Sequence, residues 1–136
     1  MESNVSKSRI KEEMRRRWNA EAVDLALQGR WDEAAQVNLR ILEMFPEDIS
    51  ARNRLGKAYW ELDRLAEAAE TYEESLQRQP SNPIARKSLM SLYPLLNRDP
   101  ATLTERVVET SVSEEGDEEL DNGEEDELED LDDSSD

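Results

Sequence analysis

Residues 55–80 read LGKAYWELDRLAEAAETYEESLQRQP. Leu55, Tyr59, Tyr72 and Leu76 recur at helical intervals, with the small residues Gly56, Ala68 and Ala69 set among them. Leu62-Asp63-Arg64 interrupts the pattern once in the middle, and Pro80 ends it. Two amphipathic helices joined by a tight turn satisfy that spacing. The small residues then have a packing role: they let the two helices approach closely, and the larger side chains fill the space around the contact.

The same signature recurs outward from this stretch at an interval of 34 residues. Upstream, Glu33, Ala34, Ala35, Leu42 and Pro46 anticipate Glu67, Ala68, Ala69, Leu76 and Pro80; downstream, Ala85, Arg86, Leu89 and Tyr93 repeat Ala51, Arg52, Leu55 and Tyr59. A fixed period of this length is the mark of a repeat array. The register gives one unit over residues 15–48, a second over 49–82, and a partial third over 83–93 that Pro94 cuts off. Each full unit turns once in its middle, at Gln28-Gly29-Arg30 or Leu62-Asp63-Arg64, and closes on Phe45-Pro46-Glu47-Asp48 or Gln79-Pro80-Ser81-Asn82. Proline disfavours helix in the residue before it, which makes Phe45 and Gln79 the predicted helix ends. Asp48 and Asn82 then stand where an N-cap is needed, with Ser81 as a competitor for the second.

The flanks read differently. Residues 1–14 form a helical extension, with the first helix starting near Asn4 to Lys7. Residues 94–112 form a linker and a short capping helix from about Ala101 to Glu109, started by Asp99 and Pro100, with Leu103 and Val107 facing the end of the stack. From Ser113 to Asp136 there are 15 Asp or Glu and no Lys or Arg. The whole chain has 34 acids, 17 bases and a net charge of −17, so residues 1–112 keep 19 acids against those 17 bases. A nearly neutral body carries a polyanionic tail. With only Leu120, Leu128 and Leu131 as large apolar residues, that tail is expected to be disordered.

The repeats resemble the tetratricopeptide repeat family, whose pattern runs Trp-x-x-Leu-Gly-x-x-Tyr, then Ala-x-x-x-Phe, then Pro. Unit two carries Leu55, Gly56, Tyr59, Ala68 and Pro80 of that pattern, with Arg52 in place of Trp and Tyr72 in place of Phe. Unit one keeps Trp18, Ala22, Leu25, Ala34 and Pro46 but has Glu21 and Asn38 at positions expected to be apolar. Unit three keeps Leu89 and Tyr93 with Met90 for Gly. The resemblance implies an all-α protein, a right-handed α-solenoid of antiparallel helix hairpins. It also implies that the first helix of every unit faces one concave groove.

The period alone aligns Asn19, Asn53 and Lys87 as one ladder across such a groove. The family's inward positions add Arg16, Val23, Lys57, Trp60 and Ser91, which gives a partner-binding groove of Arg16, Asn19, Asn53, Lys57, Trp60 and Lys87. Some family members grip a C-terminal carboxylate with Lys, Asn and Arg. The matching positions here hold Asn19, Val23, Arg54, Ile84 and Ser88, so the resemblance implies that this clamp is absent.

With neither cysteine nor histidine, the chain lacks a thiolate nucleophile, the usual general base and the commonest zinc ligands. No nucleophile–base pair or phosphate loop is present, and the tail carboxylates do not follow EF-hand spacing. The expectation is a non-enzyme without cofactor or metal. Neither a signal peptide nor a membrane span is read, which predicts a cytoplasmic protein. Arg15, Arg16 and Arg17, with Lys7, Arg9 and Lys11, could touch phosphate, but the overall negative charge argues against nucleic acid. The expected function is an adaptor or scaffold whose groove binds a peptide or helix of a protein partner. The alternative is an acidic-tail protein that shields a basic protein or a nucleic-acid-binding surface, with the repeats as a positioning platform. A homodimer through the unfinished third unit stays open.

Overall fold

The computed structural model describes residues 2–103, with side chains from residue 6 onward. Five helices follow one another: α1 (Glu2–Leu27), α2 (Trp31–Met44), α3 (Ile49–Glu61), α4 (Leu65–Arg78) and α5 (Pro83–Leu95). A further helical turn opens at Pro100 and runs to Leu103. Each helix packs chiefly on its neighbours in the chain, α1 on α2, α2 on α3, α3 on α4 and α4 on α5. That nearest-neighbour pattern makes an all-helical solenoid of stacked hairpins. Val107 of the expected capping helix and the acidic tail lie outside the described residues.

The turns explain how the period is enforced. Gly29, Asp63 and Asn97 all have positive φ, at 77°, 65° and 61°, and are spaced 34 residues apart. The residue after each donates its N–H back to a carbonyl five positions earlier: Arg30 to Leu25 at 2.9 Å, Arg64 to Tyr59 at 2.8 Å and Arg98 to Tyr93 at 2.8 Å. These bonds close the helix ends with a left-handed residue, and Asn and Asp tolerate that conformation best after glycine. In the first two turns the arginine then forks onto the glutamate three residues later, Arg30 to Glu33 and Arg64 to Glu67, each with two bonds between 2.7 and 2.9 Å. Neither α2 nor α4 has a side-chain N-cap. The carboxylate in the first turn complements the helix dipole instead.

At the unit boundaries the caps fall where the prolines predict. Phe45 and Gln79 end α2 and α4. Asp48 Oδ1 accepts from Ala51 N at 2.9 Å and Asn82 Oδ1 from Ala85 N at 2.8 Å. Pro94 does not stop the third unit at Tyr93, because α5 continues to Leu95. The proline lacks only its own N–H, and the ladder resumes with Leu96 N donating to Leu92 O at 3.1 Å. Asn97 then makes the same turn as Gly29 and Asp63, and Asp99 Oδ1 accepts from Ala101 N at 3.0 Å at the next helix start.

The core lies between the helices of each hairpin and between units. One cluster joins Ala68, Ala69 and Tyr72 of α4 to Ala85, Leu89, Leu92 and Tyr93 of α5, with Leu103 beneath it. Another joins Ala22 and Leu25 of α1 to Ala34, Val37 and Ile41 of α2 and Ala51 of α3. A Cβ on Gly56 would lie 2.8 Å from Cε2 and Cζ of Tyr72. The missing side chain is thus filled by an aromatic ring rather than by close backbone approach. Arg52, standing where the family has Trp, is also buried: its guanidinium binds Glu74 at 2.9 Å and the Pro46 carbonyl at 2.7 Å, tying the loop between units to α4.

Candidate functional site

Stacked repeats put the first helix of each unit, here α1, α3 and α5, on one face. Between α1 and α3 that face opens into a hollow of about 770 Å³, whose lining includes Arg15, Arg16, Asn19, Val23, Leu27, Ser50 and Arg54 together with the carboxylates of Glu12, Asp24 and Asp48, the first and last of which pair with Arg15. Arg54 is its polar centre and is only 8% exposed. Its Nη2 donates to Asn19 Oδ1 at 2.6 Å, and its Nε donates to Asn38 Oδ1 at 3.1 Å. Asn38 in turn donates to the Ala34 carbonyl at 3.0 Å. Both acceptors are neutral amides, and the two bonds orient the guanidinium. Asn38, which stands at a position expected to be apolar, is thus accounted for by its bond to Arg54.

Arg16 and Asn19 meet at this hollow. Arg16 is exposed and in no ion pair among the described residues. Lys57 and Lys87 lie elsewhere along the same ladder of helices. Lys57 sits beside Glu61 at 3.1 Å, and Lys87 is exposed on α5. Asn53 is not at the surface. It is 4% exposed, and its amide donates to Asn82 Oδ1 at 3.1 Å, so it supports the cap of α5. Trp60 is half-buried and packs against the α4–α5 cluster, where it holds the neighbouring unit. Arg15 is likewise occupied, with Nε and Nη2 both 3.2 Å from Asp48 Oδ2 and its guanidinium 4.6 Å from the Phe45 ring.

The family resemblance put Arg54 at a position matching the carboxylate clamp, but the expected groove residues left it out. Its signal was present, since Arg54 shares a helix face with Ser50 and Lys57 at helical spacing.

Charge divides unevenly among the later helices. Helices α3 and α5 carry Arg52, Arg54, Lys57, Arg86 and Lys87 against Glu61 alone. Helices α2 and α4 carry Asp32, Glu33, Glu43, Glu67, Glu70, Glu73 and Glu74 against Arg40 and Arg78. Arginine hydrogen bonds hold the Glu33 and Glu67 carboxyls below their ordinary values. Among the described residues no group of Asp and Glu could hold a metal ion, and no helix is long and apolar enough to cross a membrane.

Residues 19–83 match the family model of the tetratricopeptide repeat. Together with the helix pairs recurring every 34 residues, this match identifies residues 19–83 as tetratricopeptide repeats. Repeats of this kind are in general protein–protein interaction modules built on a fold that is usually non-catalytic. No curated protein matches the chain.

Proposed function

We propose that the protein is a non-enzymatic adaptor whose concave groove binds an acidic peptide or helix of a partner protein. The carrying observation is the hollow between α1 and α3, where Arg54 is held by Asn19 and Asn38 and Arg16 stands exposed at the rim. A carboxylate entering there meets a guanidinium already oriented by two hydrogen bonds, so less side-chain entropy is lost on binding. Lys87 adds an exposed cation on the third unit, and Leu27 and Val23 offer apolar area to the body of the ligand.

The experiment is fluorescence anisotropy with a labelled octaglutamate peptide on the intact chain. Arg16→Glu and Lys87→Glu, both at exposed positions, should together weaken binding about tenfold or more, and raised salt should weaken the native protein's binding in the same direction. An affinity untouched by the double substitution contradicts the reading.

A further inference from the structure

The opposite face of α3 carries a second feature that the groove does not use. Leu55 and Tyr59 point almost directly away from Arg54 and Lys57, since residues advance by about 100° each around a helix. On their side a cleft of about 370 Å³ opens between α2 and α4. Leu42, Leu55 and Tyr59 contribute its apolar lining, and Leu39, 43% exposed, stands beside them. Four carboxylates surround it, Glu43 from α2 and Glu67, Glu70 and Glu74 from α4, with Arg52 of α3 as the one cation in the lining. Glu67 is taken by Arg64 and Glu74 by Arg52. Glu43 and Glu70 have no ion pair among the described residues, and both are exposed.

We propose that this cleft is a second docking surface, taking a basic segment of a protein partner by one bulky apolar side chain flanked by lysine or arginine. Charge complementarity selects the occupant: the acidic rim repels the chain's own polyanionic tail and attracts cations, while the leucine and tyrosine lining takes an apolar group that a bare ion does not possess. A metal ion fits poorly, because no group of carboxylates among the described residues converges on one point. The protein then has two binding faces of opposite sign on either side of one helix, and can bridge an acidic ligand and a basic one.

The test uses the intact chain and two capped, labelled probes, Lys-Lys-Leu-Lys-Lys and the same peptide with serine for leucine. The leucine peptide should bind several-fold tighter than the serine peptide. Glu43→Gln with Glu70→Gln should weaken it roughly fivefold to tenfold, and Leu39→Ser should reduce the preference for leucine. Arg16→Glu should leave it unchanged, which separates this face from the groove. The same comparison is repeated with every Asp and Glu of residues 113–136 replaced by its amide. If those replacements abolish binding, or if the Glu43 and Glu70 substitutions do nothing, the tail and not the cleft captures the probe and the proposal fails. It fails equally if ultracentrifugation of the unliganded chain shows self-association that the Glu43 and Glu70 substitutions disperse, since the occupant is then a second copy offering its Lys7–Lys11 segment.

Discussion

Gly56 and Gly29 show two different reasons for the same residue. At Gly56 the reason is space: an added methyl would strike the Tyr72 ring at 2.8 Å, and that ring is 2% exposed and has nowhere to go. Gly56→Ala should therefore destabilise by ~1–2 kcal/mol, an overpacking cost that exceeds alanine's helix preference. Ala68→Phe, at a fully buried position, should cost ~1–3 kcal/mol by the same mechanism. Urea unfolding followed by circular dichroism measures both, and wild-type midpoints would refute the packing account. At Gly29 the reason is conformation. Nothing lies within 4 Å of an added Cβ, but φ is +77°, so Gly29→Ala should cost ~1 kcal/mol through backbone strain alone. The equivalent Asp63 and Asn97 already bear that conformation with side chains suited to it.

At the scale of helices and turns, most of the architecture was legible. The period, the mid-unit turns, the proline-closed ends and the caps at Asp48 and Asn82 are local chemistry, and local chemistry is written residue by residue. Pro94 misleads because one missing N–H near the end of a helix costs a single bond, not the helix. Register alone puts Asn53 and Trp60 in the groove, whereas their burial depends on the neighbouring unit, which no local pattern reports. Arg54 and Asn38 escape for a related reason: only the packing of α2 on α3 makes them partners. Their coupling is measurable. Arg54→Ala should cost ~1–3 kcal/mol by leaving Asn38 Oδ1 buried and unsatisfied, and pairing it with Asn38→Leu should recover part of that loss. Strict additivity in the double-mutant cycle would contradict the network.

The paired turns predict a response to acid. Glu33 and Glu67 have folded pKa values below their unfolded ones, chiefly through the Arg30 and Arg64 hydrogen bonds. Their stabilising effect is present above the unfolded carboxylate pKa and is lost as pH falls through the lower, folded value. Glu33→Gln with Glu67→Gln should flatten the loss of thermal stability on acidification, and a curve parallel to wild type would show that the forks contribute nothing.

For the whole molecule, the division of charge matters more than its total. The net charge of −17 hides a body in which α3 and α5 are rich in bases and α2 and α4 in acids. A polyanion of the composition of residues 113–136 would compete with octaglutamate for a basic groove. Amide replacement of its 15 acids should therefore tighten octaglutamate binding several-fold at low salt and less at high salt. Unchanged affinity would assign the tail no part in the groove.

The most direct measurement is a two-dimensional NMR titration of the intact, isotope-labelled protein with octaglutamate. The account predicts shift changes concentrated on residues 16–23 of α1, 50–57 of α3 and the turn of α5 bearing Lys87, with α2 and α4 quiet. Changes centred on α4, or none at saturating peptide, would contradict it.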